Sequence, residues 1–148
     1  MGKPRALTLA AAIRDYETRA ARYWPLEIRE VREEPARGPT AERVREREGE
    51  RLLAAAGVGS LIVACEGDGD ARTSAELATW MTTERERASR DVAFLIGGAL
   101  GLSPAVRAAA AQRLSFSRFT LPHELARLLL AEQLYRAGTI VRGEPYHK

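Results

Sequence analysis

The stretch from Asp91 to Lys148 constrains the fold of this chain most. Within it, Val92–Ile96 is a continuous apolar run, which is typical of a strand buried on both faces of a sheet. The run stops at Gly97-Gly98, where the backbone could approach a ligand closely, although a tight turn between a strand and a helix needs the same glycines. Ser103-Pro104 then predicts the start of a helix, with the serine as N-cap and the proline in the first turn.

The rest of this stretch predicts a short strand, a long helix and a polar tail. Leu114–Leu121 alternates loosely, as a strand does, and stops at Pro122. Glu124–Ala137 is apolar around much of the helix circumference, which predicts burial on more than one side. Both an ordinary core and a subunit interface fit that pattern. The tail from Arg142 to Lys148 brings an arginine, a tyrosine, a histidine and a lysine together within seven residues.

The first ninety residues predict helices that alternate with strands. We expect helices at Thr8–Tyr23, Ala41–Ala56 and Ser74–Ala88, and strands at Leu26–Glu33 and Leu61–Cys65. Thr8 and Ser74 are the expected N-caps, Gly57 the expected C-cap, and Glu66–Asp70 the expected turn. Alternation of this kind favours an α/β fold in which a parallel sheet carries helices on both faces. No repeat or long linker interrupts the 148 residues, so we expect a single domain.

Composition narrows the class of protein. The one cysteine, Cys65, excludes an internal disulfide and suits the reducing cytoplasm. No apolar run is long enough to span a membrane, and we expect no metal site. Residues 91–148 contain seven Lys or Arg against four acids, whereas the first ninety contain sixteen of each, so the whole net charge of +3 lies in the last third. This placement is consistent with an RNA-facing surface and also with scattered, solvated arginines.

Three motifs together resemble the RlmH family, the SPOUT-class methyltransferases that act on pseudouridine in large-subunit ribosomal RNA. They read LIGGxxGLSP, LSFSxxTLPHxLxRxLLxEQLYRA and RGEPYHK, and the resemblance extends over essentially the whole chain. It implies an α/β-knot fold with a C-terminal trefoil knot, a homodimer built on the last helix, and S-adenosylmethionine as methyl donor. It also implies that the substrate is 23S ribosomal RNA in the assembled ribosome and that one subunit's tail completes the other's site.

The resemblance also carries over site residues, position by position. The expected contacts to S-adenosylmethionine are Cys65, Gly98, Ser117, Arg118, Phe119, Thr120, Leu121 and Pro122. The expected catalytic residues are His147 as base or proton relay, Tyr146 against the target base, and Arg142 as a stabiliser of the anion. The expected contacts to RNA are His123, Arg142 and Lys148. For His123 a structural role at the helix start is an alternative, and for a tail of this length the alternative is disorder without function.

The sequence departs from the family pattern at three places. Cys65 replaces an expected leucine, and Ala99-Leu100 replaces a commoner proline-acid pair. The resemblance implies a hydrophobic strand before Gly2-Lys3, which the given sequence does not contain. Either the translation start is assigned too far downstream, which we expect, or the protein lacks one strand of its sheet. Two alternative functions therefore stay open: a catalytically silent dimer that binds RNA or ribosomes, and a SPOUT methyltransferase directed at another RNA.

Overall fold

The chain forms two compact units. The structure is a computed structural model that describes residues 7–35, 40–87 and 90–147. Among the described residues, the sheet unit comprises those of Arg29–Ala71 and Arg90–His123, and the helical unit comprises the rest. The predicted α/β class is confirmed, whereas the single domain, the knot and the dimer stay predictions.

The sheet unit is built on three parallel strands in the order β2-β1-β3. In chain order its elements are α2 (Ala41–Ala56), β1 (Leu61–Ala71), β2 (Val92–Ile96), α4 (Pro104–Ala109) and β3 (Gln112–Ser115). β1 is the central strand, and its first half is almost entirely buried, as the apolar run Leu61–Cys65 predicts. Five buried residues form the core between the sheet and the two helices: Leu52, Ala64, Leu95, Leu102 and Val106.

Helix starts in the sheet unit follow their sequence signals. Ser103 has an extended backbone, and its hydroxyl accepts a hydrogen bond from the Val106 amide, so it is the N-cap of α4 as predicted. Thr40 caps α2 in the same way through the Arg43 amide. Gly57 follows α2 with a φ of 85°, a conformation that favours glycine and confirms the expected end of the helix.

The predicted strand at Leu26–Glu33 is wrong. No strand occurs there, and side chains rather than a ladder attach the part after Ile28 to α2. Arg51 donates to the Arg32 carbonyl at 2.9 Å, and the Glu34 carboxylate accepts from both Arg47 and Arg51 at 2.6 Å. These two hydrogen bonds lower the pKa of Glu34 below its usual value. Alternating hydrophobicity suggests a strand. Side-chain hydrogen bonds to α2 hold this segment instead, and it pairs with no strand of the described sheet.

Two further boundaries in the sheet unit differ from prediction. The expected turn at Glu66–Asp70 is part of β1, because the strand resumes its pairing after a bulge. The strand expected at Leu114–Leu121 begins earlier and ends at Ser115. A turn ends it, in which the Phe119 amide donates to the Ser117 hydroxyl at 3.0 Å.

The helical unit contains α1 (Leu7–Ala20), α3 (Ser74–Arg87), α5 (His123–Val141) and a 3-10 turn (Pro145–His147). The buried indole of Trp24 donates to the Leu134 carbonyl at 2.8 Å, which ties the segment just after α1 to the middle of α5. Gly138 permits close packing there, since a Cβ on it would lie 2.3 Å from the Tyr23 ring. No helix in the described part of the chain is long and apolar enough to cross a membrane.

Helix ends in this unit required several corrections. α1 ends at Ala20 and not at Tyr23, and Thr8 lies inside it rather than at its cap. α3 is capped by Thr73, one residue before the predicted Ser74, because the sequence Thr-x-x-Glu forms a capping box with Glu76. The predicted end of that helix at Ala88 lies outside the described residues. α5 extends four residues beyond the predicted Ala137.

The contact between α2 and α4 gives a stability test. A Cβ on Gly49 would lie 2.1 Å from the Ser103 hydroxyl and 2.8 Å from its Cβ. We therefore expect Gly49→Ala to reduce the free energy of unfolding by about 1–3 kcal/mol through overpacking, measured by urea denaturation. In an open helix position the same change stabilises by roughly 0.5–1 kcal/mol, so a gain in stability would contradict this packing.

Candidate active site

The carboxyl ends of β2 and β3 lie on either side of Cys65, at the point where β1 bulges. In the ladder, Cys65 of β1 pairs with Ile96 of β2 on one side and with Leu114 of β3 on the other. Ligands of open parallel sheets bind outside these carboxyl ends. Each segment predicted to bind the methyl donor lies at or just after this edge: Cys65 itself, Gly98 after β2, and Ser117–Pro122 after β3. The topology therefore brings Cys65 and the starts of the two other segments to one edge.

The glycines after β2 form a tight turn. Gly98 and Gly101 make an isolated antiparallel bridge, with the Gly101 amide donating to the Gly98 carbonyl at 3.0 Å. Gly101 has a φ of 79°, and a Cβ on Gly97 would lie 2.8 Å from the Gly101 carbonyl carbon. The turn itself therefore accounts for Gly97 and Gly101. Gly98 remains the candidate for contact with a ligand.

The segment after β3 is irregular and open to solvent. Arg118, Phe119, Thr120 and Pro122 are exposed, and the Phe119 side chain keeps 83% of its accessible surface. The Ser115 hydroxyl holds the start of the segment, because it lies 3.1 Å from both the Gly67 and the Ser117 carbonyl oxygens. This segment can therefore offer backbone groups to a ligand, as a site with few catalytic side chains would.

Cys65 forms part of the wall of this edge and is not a nucleophile. Its side chain is buried, and burial raises the pKa of the thiol well above its usual value, with a smaller contribution from the negative charge of Glu66. A thiol of this kind stays protonated near neutral pH. It therefore acts as a small apolar group where the resemblance to the family led us to expect a leucine.

His123 faces the protein at the start of α5. Its Nε2 atom is buried, lies 3.7 Å from the Glu33 carboxylate, and makes no hydrogen bond to the described residues. The side chain keeps 19% of its accessible surface. This orientation favours the structural alternative for His123, and contact with RNA stays a prediction.

The C-terminal segment is docked onto the helical unit by aromatic contacts. The Tyr146 hydroxyl lies 3.2 Å from the Tyr16 hydroxyl and 3.1 Å from a Glu132 carboxylate oxygen, while its ring centroid is 4.5 Å from that of Tyr135. Desolvation chiefly raises the pKa of Tyr146, and the hydrogen bond to Tyr16 and the charge of Glu132 raise it further. Tyr146 is therefore a neutral, anchored group in the free protein.

Arg142 and Glu144 extend this docking toward α1. The Arg142 guanidinium lies 4.5 Å from the centroid of the Tyr23 ring and donates to the Arg22 carbonyl at 3.0 Å. The Tyr23 hydroxyl donates to Glu144, which raises the pKa of Tyr23. The backbone of His147 completes the 3-10 turn. The side chain of His147 and the whole of Lys148 lie outside the described residues.

Several residues that hold the predicted site residues in place carry no functional signal in the sequence. In the sheet unit these include Glu66, whose sequence context predicts a turn. In the helical unit they include Tyr16 and Glu132. No local pattern marks Tyr16, because its partner is 130 positions away in the chain. Nor do the described residues contain a cluster of three or more His, Cys, Asp or Glu side chains that could hold a metal ion.

The environment of Cys65 predicts a slow thiol. We expect iodoacetamide to label the native protein at least about tenfold more slowly than the urea-unfolded protein at pH 7.5, because burial opposes formation of the thiolate. Mass spectrometry of the intact chain measures the extent of labelling, and the unfolded sample is the control for reactivity. Equally rapid labelling of both samples would contradict the buried position.

Comparisons with known proteins agree with this geometry. A family model described as "Predicted SPOUT methyltransferase" matches residues 1–147. The chain is 59% identical to ribosomal RNA large subunit methyltransferase H of Gemmatimonas aurantiaca, over all of this chain and 96% of that protein. Proteins of the same name from Anaeromyxobacter sp. strain K and Geobacter sp. strain M21 are 47% and 43% identical, over 100% and 99% of this chain and 95% and 94% of theirs.

These matches span almost the whole chain and confirm the resemblance carried by the three motifs. The first motif maps to β2 and the glycine turn after it, the second begins in β3 and continues into α5, and the third is the C-terminal segment. On this basis the chain belongs to the SPOUT methyltransferases, in the RlmH family.

Proposed function

We propose that this protein transfers a methyl group from S-adenosylmethionine to N3 of a pseudouridine in 23S ribosomal RNA of the assembled ribosome. The observation that carries the proposal is the edge of the sheet where β2 and β3 end on either side of Cys65 and lead into the segments with Gly98 and Ser117–Pro122. The name of the relatives, ribosomal RNA large subunit methyltransferase H, supports the choice of RNA. We place this activity in the cytoplasm, where ribosomes act.

The residues at the edge fit S-adenosylmethionine. S-adenosylmethionine needs an apolar wall for its adenine, which the buried Cys65 supplies. It also needs backbone donors and acceptors for its polar atoms, which the open segment Ser117–Pro122 supplies. Gly98 allows close approach on the other side. When bound, S-adenosylmethionine supplies a methyl group already activated by its sulfonium, so the protein must chiefly orient the reactants and exclude water.

The tail supplies the groups for the acceptor. N3 of pseudouridine is an imide nitrogen that must lose its proton before or during attack on the methyl carbon. His147 is the proposed base, and the always-charged Arg142 is the proposed stabiliser of the resulting anion. Tyr146, whose hydroxyl is already engaged by Glu132, anchors the tail and presents His147. Arg142, Lys148 and His123 are the proposed contacts to RNA.

We further propose that two copies of the chain form a homodimer through α5. Leu125 and Leu129 lie four residues apart, hence on one face of the helix, and keep 39% and 37% of their accessible surface. Partly exposed leucines at this spacing suit a second copy of the same helix. In the dimer, the tail of one subunit acts at the cofactor edge of the other. The C-terminal knot belongs to the same proposal.

The direct test is transfer of labelled methyl from S-adenosylmethionine to whole ribosomes, isolated subunits and free ribosomal RNA, followed by mapping of the modified base. We expect label on pseudouridine of the 23S RNA in whole ribosomes only. Label on a different RNA would instead identify a methyltransferase with another target. Binding to ribosomes without transfer of label would identify a silent binder.

Two substitutions separate the proposed roles. His147→Ala should reduce kcat by about a hundredfold, since a general base contributes on that order, while the Kd for S-adenosylmethionine stays unchanged.

Gly98→Val should weaken binding of S-adenosylmethionine by at least about tenfold, because the new side chain fills the space for close approach. Isothermal titration calorimetry gives the Kd and the labelled-methyl assay gives kcat.

Each variant is the control for the other in this pair. Unchanged turnover in His147→Ala would remove His147 from the mechanism. Normal binding by Gly98→Val would leave Gly98 with only its part in the turn.

A further inference from the structure

We infer that Glu66 is a positioning residue for the cofactor edge: its single carboxylate joins the three segments that are proposed to bind S-adenosylmethionine. The inference rests on the proposed function. Glu66 follows Cys65 directly in β1, and its side chain keeps only 8% of its accessible surface. One carboxylate oxygen accepts from Arg107 and the other from Arg113. The two arginines come from different elements of the sheet unit, α4 and β3.

The contact with Arg107 fixes the segment that follows the glycine turn. The Arg107 Nε atom lies 2.7 Å from Glu66 Oε2. Arg107 belongs to the short helix α4, which begins three residues after Gly101. With Ser103 buried at its cap and Val106 buried in the core, α4 has little freedom to shift. Glu66 therefore ties β1 to the helix that follows the Gly97–Gly101 turn.

The contact with Arg113 fixes the strand that leads into Ser117–Pro122. Arg113 donates to Glu66 through Nε and to Asp68 through a terminal nitrogen at 2.7 Å. These contacts raise the pKa of Arg113 and lower that of Asp68. Arg113 immediately precedes Leu114, whose partner across the ladder is Cys65. The ion pairs therefore set the strand end beside the proposed cofactor wall.

The bulge in β1 connects Glu66 to the segment that follows β3. Leu114 pairs with both Cys65 and Asp70, so the four residues 66–69 leave the ladder between them. Gly69 lies against β3 so closely that a Cβ on it would be 2.8 Å from the Leu114 backbone. At the other end of the bulge, the Gly67 carbonyl lies 3.1 Å from the Ser115 hydroxyl, which also contacts Ser117. The path from Glu66 to Ser117 is thus continuous.

A second carboxylate in the same unit offers a matched control. Glu34 also accepts from two arginines, Arg47 and Arg51, one on each oxygen, and its side chain keeps 9% of its accessible surface. It therefore has the same number of ionic partners and nearly the same burial as Glu66. It differs in place, since it joins the segment before α2 to that helix and contacts none of the proposed cofactor segments.

The test compares Glu66→Gln and Glu34→Gln in the full chain. We expect Glu66→Gln to raise the Kd and the KM for S-adenosylmethionine by about tenfold, because a loosened supporting residue misplaces the binding segments. At saturating S-adenosylmethionine, kcat should stay within about twofold of the unchanged protein, since the tail is untouched. Glu34→Gln should lower Tm by about as much as Glu66→Gln does. Its Kd for S-adenosylmethionine should stay within about twofold of that of the unchanged protein. Calorimetry gives the Kd and thermal unfolding gives Tm.

A second substitution keeps the inference testable if Glu66→Gln fails to fold. Arg107→Gln removes only the contact with α4; its side chain is 47% exposed, so the fold should tolerate the change. We expect it to raise the Kd for S-adenosylmethionine by about threefold with little change in Tm.

The outcomes separate this inference from the proposed function. If the unchanged protein binds S-adenosylmethionine and Arg107→Gln and Glu66→Gln bind it equally well, Glu66 is merely structural and the inference is wrong. An equal loss of affinity in Glu34→Gln would also overturn it, because general destabilisation would then explain the effect. If the unchanged protein does not bind S-adenosylmethionine, the proposed function is wrong, and this inference is wrong as well.

Discussion

The parallel pairing of β1 with both of its neighbours is the constraint on which the candidate site depends. Because β2 and β3 both run parallel to β1, the chain must leave all three strands in the same direction. The residues that follow each strand are therefore near one another whatever their distance in sequence. Gly98 and Ser117 each follow a strand that ends beside Cys65 in β1, although the three residues span more than fifty positions of the chain. Had any strand been antiparallel, its following segment would lie at the opposite edge.

Most elements could be predicted from the sequence, because the signals for them are local. A continuous apolar run indicates a strand, as in Val92–Ile96, although only Leu95 of that strand is buried and the predicted burial on both faces is wrong. A serine before a proline indicates a capped helix, as at Ser103. The three motifs then identified the family, which matches over nearly the whole chain confirm. The errors occurred where a local signal was ambiguous. Thr73 and Ser74 are both good caps, and only the reciprocal contact with Glu76 decides between them.

The contacts that hold the candidate residues in place could not be predicted in this way. Glu66 reads as part of a turn, because it opens a run of glycines and acids, yet its partners are 41 and 47 residues further along the chain. The pairing of Tyr146 with Tyr16 joins positions at opposite ends of the sequence. Neither pair leaves a periodic or spacing signal. Long-range polar contacts are a property of the fold, and they become visible only with the structure.

The docking of Tyr146 has a consequence for the energetics of substrate recognition. Consecutive Cα atoms are held about 3.8 Å apart, so an anchored Tyr146 confines the backbone of His147 to a small volume before any RNA arrives. Fixing one residue's backbone costs on the order of 1–2 kcal/mol of conformational entropy, and this ordering occurs when the protein folds rather than when RNA binds. In the proposed role of this tail, RNA meets a preorganised segment, and more of the interaction energy remains available for affinity and discrimination.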